Sequence, residues 1–248
     1  VLILLPPSEG KTVPPAGDPI DLGSLVFADA LGARRERLLD ALERLGSIST
    51  SRALKQLDIS KGQVGEIAVD AALRTAPTAA ASVVYSGVLY DHLGLAGLPA
   101  KARRQVLICS ALWGVLRADD RIPYYRFSSK ARLARIGAPA AYWRQALAAV
   151  LPDEPGELVI DMRSGAYAAA WKPKRATLLA VRAFSESGGR RKPVSHMAKA
   201  ARGEVARALL LAKRAPRDPE SAGTIAERAG FQVELSGSNL DVIVPVNS

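Results

Sequence analysis

Histidine and cysteine are nearly missing from this 248-residue chain, which holds two of the first and one of the second. A lone Cys109 excludes an internal disulfide, and so few soft ligands leave no basis for a protein-only zinc site. Cys109 also closes the apolar run 106–109, where a thiol is expected to be an inert core group, not a redox sensor. No apolar run approaches the ~18 residues of a membrane span. The apolar start, residues 1–5, lacks a basic leader and is ended by Pro6 and Pro7, so it does not read as a secretory signal. The expectation is a cytoplasmic protein with no membrane contact, no metal and no cofactor. Aromatic residues are only 5% of the chain, which makes Tyr124, Tyr125 and Phe127 stand out as a group.

What is present is ordinary in amount and unusual in placement. With 48% hydrophobic and 23% charged residues, the composition is that of a soluble globular protein able to bury a substantial core. The formal net charge is +10, but residues 101–144 alone carry +8 and residues 171–217 carry +11, leaving −9 for the remainder. If the two basic segments meet in space they form a positive groove, the footprint of a polyanion site. The other reading is solvated helix faces against which the acidic remainder folds.

The chemistry concentrates in residues 110–129. A short apolar strand, 106–109, runs into Ser-Ala-Leu-Trp-Gly-Val-Leu-Arg and then Asp-Asp-Arg-Ile-Pro-Tyr-Tyr-Arg. Such strand-to-loop junctions are where sites tend to be built. Three arginines, Arg117, Arg121 and Arg126, beside Asp119 and Asp120 are costly to bury unless each finds a partner or a ligand. Pairing with the two acids and anion binding can coexist.

These residues resemble the signature of the YaaA family, bacterial peroxide-stress proteins. The match is specific in this stretch and loose between motifs, and this chain has Trp113 and Ala118 where members often carry Tyr and Pro. Weaker matches extend it over residues 1 to about 235: Lys11 and Thr12 in a Ser-Pro-x-Lys-Thr-like loop, Ser164 and Tyr167 in a Ser-x-x-Tyr, and residues 197–203 in an Ala-Lys-x-Ala-Arg-Gly motif containing Lys199 and Arg202. The resemblance implies a family-specific fold with a basic cleft and a helix-hairpin-helix element, and binding of double-stranded or distorted DNA. That element is expected within residues 51–73, with Lys61, Gly62 and Gly65 near its second helix. The ideal Gly-apolar-Gly turn is absent, which leaves an ordinary helical corner equally open.

Periodicity supplies the frame. It predicts a strand at residues 1–5, an amphipathic helix at 28–45, a strand at 80–86, a surface turn at 87–94 in which His92 is incidental, and a short basic helix at 98–105. Further on come a helix from Pro139, strands at 158–160 and 176–184, a basic hairpin or loop at 188–193, a helix from 196 to about 214 capped by Ser195, a helix from Asp218 to Ala229, and a terminal hairpin about Gly237. Lys199 and Arg202, at i and i+3, share a helix face that excludes Glu204. The sum is a mixed α/β (α+β) single compact domain, 1–248, with a candidate helical lobe at 28–76.

The expected function is largely sequence-independent DNA binding through phosphate contacts, in peroxide-stress protection and recombinational repair. The anion-binding candidates are Lys11, Thr12, Lys61, Arg117, Arg121, Arg126, Arg163, Ser164, Tyr167, Lys199 and Arg202. Trp113, Tyr124 and Tyr125 are read first as packing residues and second as stacking platforms for unpaired bases. A competing reading is an enzyme acting on a small phosphorylated or nucleotide ligand, with Lys11, Ser164, Tyr167 and Lys199 as its chemistry. A P-loop is excluded by Pro14, Pro15 and Gly17, which forbid the helix it needs. A serine hydrolase lacks its Gly-x-Ser-x-Gly turn.

Overall fold

The computed structural model describes residues 1–187, 190–193 and 197–245, with side chains at 1–186 and 198–244. Along the chain run β1 (Leu2–Leu5), α1 (Ala28–Glu43), α2 (Thr50–Leu57), α3 (Gly65–Ala71), β2 (Thr78–Ala80), α4 (Ala81–Val84), α5 (Val88–Leu93), α6 (Ala100–Arg103), β3 (Val106–Ser110), β4 (Gly114–Arg117) and β5 (Arg121–Pro123). They continue as α7 (Pro139–Val150), β6 (Leu158–Asp161), α8 (Gly165–Ala168), β7 (Thr177–Ser187), β8 (Arg190–Pro193), α9 (Met197–Leu211), α10 (Pro219–Arg228), β9 (Gln232–Ser236) and β10 (Asn239–Pro245). This is the mixed α/β architecture expected from the sequence.

One sheet organises the molecule, in the order β4-β3-β1-β6-β7-β10-β9, with β8 pairing β7 off that line. The five inner strands are mutually parallel, while β4, β8 and β9 pair antiparallel to their neighbours. Central strands are apolar on both faces: β1, β3 and β6 are buried almost throughout, as parallel strands covered on both sides must be. From β1 the chain crosses to β3 on one side and later returns to β6 on the other. The strand order therefore reverses at β1, and loops leaving the C-terminal ends of β1, β3 and β6 flank one crevice. Open α/β sheets bind ligands at such a switch point.

Two stretches differ from the sequence-based expectation. Residues 80–86, expected as a strand, contribute only the end of β2 before turning into α4, because Ala81 and Ser82 donate their N–H groups to Asp120 O and Ala118 O at 2.7 and 2.9 Å. Residues 87–94, expected as a surface turn, form α5 with Leu89, Tyr90 and Leu93 buried. α9 lies against α5 so closely that a Cβ on Gly203 would stand 2.3 Å from Leu89 O. The cap predicted for the last helix is present: the Asp218 carboxylate accepts from Ser221 N at 2.7 Å. Ser195 and His196, and the glycines at 188–189, lie outside the described residues.

Residues 50–71 form a helical corner, α2 then α3, with Asp58 left-handed at the end of α2 and a 3-10 turn at Lys61–Gln63. Leu31, Leu38, Leu42, Ala53 and Leu57 of this N-terminal helical region belong to the same continuous apolar cluster as the sheet.

Candidate functional site

Construction of the site begins with a buried arginine. Arg35 lies four residues after Leu31 and three before Leu38, on the apolar stripe of α1, and is 0% exposed. Its Nε donates to Trp113 O at 3.1 Å, and Nη2 donates to Val26 O and Val115 O at 2.8 and 3.0 Å. Burial lowers its pKa to about 10, against the nearby Asp120 charge. Asp120 in turn accepts from Val26 N and Arg117 N at 3.1 and 2.9 Å. Thus one arginine from a distant helix and one acid from the motif pin the 110–120 turn. The first turn is tightened by Ser110 Oγ, which accepts from Leu112 N and Trp113 N. Gly114, at φ 75°, leaves room for the Trp143 ring, which a Cβ would meet at 2.9 Å.

From that scaffold a chain of hydroxyls leads toward the crevice. Ser110 Oγ and Tyr125 OH are 2.8 Å apart, and Tyr125 OH and Tyr85 OH 2.6 Å. Tyr90 OH donates to Pro6 O, the first residue after β1, at 2.7 Å. Trp113 and Tyr125 are buried, and their rings meet edge to face at 6.0 Å. Packing, the first of the two readings, accounts for both; Tyr124 is half-buried beside Glu66, to whose carboxylate its hydroxyl donates at 3.2 Å.

Lys11 stands at the centre. Its backbone bridges Tyr85, and its ammonium donates to Ser8 O at 2.8 Å while facing the Tyr125 ring at 4.5 Å. It forms no ion pair among the described residues. Desolvation lowers its pKa to about 8, helped by the Arg126 charge and opposed by Asp70, Glu9 and Glu66. Asp70, one helical turn after Glu66 on α3, is 1% exposed. Its Oδ1 accepts from Arg126 N at 2.7 Å, whereas Oδ2 has no partner. Burial raises this carboxyl to about 7 despite the backbone donor and the Lys11 charge. Arg126 Nε is likewise buried without a partner.

Beyond β6 the same edge carries Arg163, Ser164 and Tyr167. Arg163 is committed internally: Nε and Nη2 donate to the two Asp161 oxygens at 2.8 and 2.7 Å, Nη2 also to Trp171 O, and Nη1 reaches Cys109 Sγ at 3.7 Å. The Cys109 thiol is pushed up by burial, partly offset by Arg163, as suits an inert core group. Tyr167 is half-buried and Ser164 exposed. On α9, Lys199 is exposed and Arg202 half-buried with an unpartnered Nε; desolvation lowers Arg202, opposed by the Asp161 charge.

Lys11, Arg126, Arg163, Ser164, Tyr167, Lys199 and Arg202 thus belong to the strand-end side of the sheet. Arg117 and Arg121 do not join them. Arg117 ends β4 opposite Leu107, toward the start of β3 and so toward the other edge. Arg121 donates to Thr78 O at 2.6 Å. Lys61 is exposed on its 3-10 turn, and exposed Thr12 is held through its backbone N–H to Val84 O. Among the described residues no group of three or more His, Cys, Asp or Glu is placed to hold a metal ion, and no helix is long and apolar enough to cross a membrane. Asp70 and Glu66 were missed from sequence; their i, i+4 spacing on one short helix was the available signal.

Fold and cluster define the class: an α/β protein with a predominantly parallel sheet, whose switch-point edge gathers cations, phenols and a buried carboxyl. Within that class the chain belongs to the family described as peroxide stress protein YaaA, which matches residues 1–235. It is 41% identical to a UPF0246 protein of Streptomyces coelicolor, with 98% of each chain covered. It is 38% identical to a UPF0246 protein of Corynebacterium glutamicum, over 99% of this chain and all of the relative. An uncharacterized protein of Campylobacter jejuni is 30% identical over 81% of both chains.

Proposed function

We propose that the protein binds duplex or distorted DNA in the cytoplasm, largely without regard to sequence, through phosphates seated along the strand-end edge, and that this serves protection against peroxide. The observation that carries the reading is a pair of guanidinium groups on that edge, Arg126 and Arg202, each with a buried nitrogen that lacks an acceptor among the described residues. Lys11 and Lys199 make no ion pair among the described residues. A buried N–H donor left without an acceptor costs about 1–3 kcal/mol until one arrives. Other cations are already paired: Arg74 meets Glu36, Asp40 and Glu43, Arg103 meets Asp119, Arg175 meets Glu154, and Arg182 meets Asp241. Repair and recombination are the processes such a binder would serve.

The test is a salt titration of affinity on two unrelated duplexes of equal length. Neutralising three or four phosphates predicts a slope of log K on log salt of about −3 to −4, the same for both sequences. A flat titration, or affinity for one sequence only, would remove the phosphate reading.

A further inference from the structure

A phosphate contact alone does not account for the surroundings of Lys11. Three carboxylates, Asp70, Glu9 and Glu66, act on its ammonium, and each would repel a phosphate placed there. A structural lysine would pair with one of them or extend into water. Lys11 instead has one protein acceptor, Ser8 O, and lies against the faces of Tyr125 and Tyr85 at 4.5 and 5.9 Å. Asp70, close enough to act on Lys11 without an ion pair, keeps Oδ2 buried and unpartnered. Arg126 is anchored to the same carboxyl through its backbone N–H, with its side-chain Nε open. An amine, a proton acceptor behind it and a cation beside it converge where the strand order reverses.

We propose that Lys11 is a nucleophile that forms an imine with an aldehyde flanked by phosphate, such as the open-chain sugar of an abasic nucleotide, and that Asp70 accepts and returns the proton. This rests on the DNA reading above. Asp70, which forms no direct hydrogen bond to Lys11, takes a proton from its ammonium through one intervening water, and the free amine adds to the aldehyde carbon to give a carbinolamine. The proton returns to its hydroxyl, which leaves as water as the C=N bond forms; nothing is oxidised or reduced. Arg126 holds the flanking phosphate. Desolvation supplies the activation: burial lowers the Lys11 ammonium to about 8 and raises the Asp70 carboxyl to about 7, which favours the free amine.

The experiment mixes the full chain with a duplex bearing one abasic site and sodium cyanoborohydride, which fixes an imine as a stable amine. The expected result is a covalent complex mapping to Lys11 by mass spectrometry, formed faster as pH rises toward 8. Lys11→Arg keeps the charge and loses the adduct, and Asp70→Asn slows trapping at least tenfold; melting curves confirm that both fold. No adduct, or one that persists in Lys11→Arg, overturns the proposal. Intact-duplex binding, measured in parallel, separates the two readings: binding without an adduct sinks the imine step alone. If no duplex binds, glycolaldehyde phosphate is the probe, and trapping at Lys11 upholds the amine chemistry whereas its absence overturns it.

Discussion

At the residue scale, the unusual groups are those that bury a polar atom and leave it open. Asp70 gives the sharpest stability prediction. Its carboxyl sits at about 7 in the folded chain against 3.8 unfolded, so between those values the native state holds the extra proton. The stabilisation is complete below pH 3.8 and is lost as pH rises through 7, where the fold must carry a buried carboxylate. Asn keeps an acceptor for Arg126 N and never ionises. Asp70→Asn should therefore gain on the wild type as pH goes from 4 to 8, by on the order of 4 kcal/mol for about three units at 1.36 kcal/mol each. Denaturant melts at four pH values check it, and a gap that does not widen with pH would mean Asp70 is ionised throughout. Arg35 shows what residue-level reading missed. Its position on the Leu31–Leu38 stripe is visible in the sequence, but its burial is not, because its three carbonyl acceptors come from residues 26, 113 and 115.

At the scale of elements, most of the frame was legible, since β1, β3, β6, β7, α1, α7, α9, α10 and the β9–β10 hairpin follow from periodicity and caps. The errors fell where tertiary contacts outweighed pattern. Residues 81–84 read as a strand from Ser-Val-Val, yet they bury Ala81 and Val84 and expose Val83, the helical period, once β2 has docked on β5. Sequence could not show that a glycine inside α9 marks the contact with α5. Gly203→Ala should lose stability by about 1–3 kcal/mol, because the Leu89 carbonyl 2.3 Å away is backbone and cannot move aside, and this outweighs the helix propensity of alanine. Gly32→Ala in α1, where a Cβ meets nothing within 4 Å, should gain about 0.5–1 kcal/mol. Thermal melts of the two variants should move in opposite directions, and a shared direction would contradict the packing at Leu89.

At the scale of the whole molecule, charge counted along the chain and charge placed on the sheet are different quantities. The basic segment 101–144 begins with Lys101, Arg103 and Arg104 ahead of β3, at the edge opposite Ser110, and the segment 171–217 passes Lys174 and Arg175 ahead of β7, at that same far edge. Later members come to the strand ends with Lys11: Arg126 in the first, and in the second Lys199, Arg202 and the β8 residues Arg190, Arg191 and Lys192, whose backbone pairs with the C-terminal end of β7. The clusters seen in sequence therefore divide between two edges, and a net charge of +10 does not say which edge a polyanion uses. Two reversals with equal change in net charge separate the cases. Lys199→Glu alters an exposed cation at the strand-end side, and Arg175→Glu alters an exposed cation at the far edge that already faces Glu154. If phosphates lie along the strand ends, Lys199→Glu should weaken every duplex about tenfold and reduce the salt slope by about 1, while Arg175→Glu changes affinity less than about twofold. Equal losses would mean that binding follows total charge rather than a built edge, since at a Debye length of about 10 Å a phosphate at one edge is screened from the other.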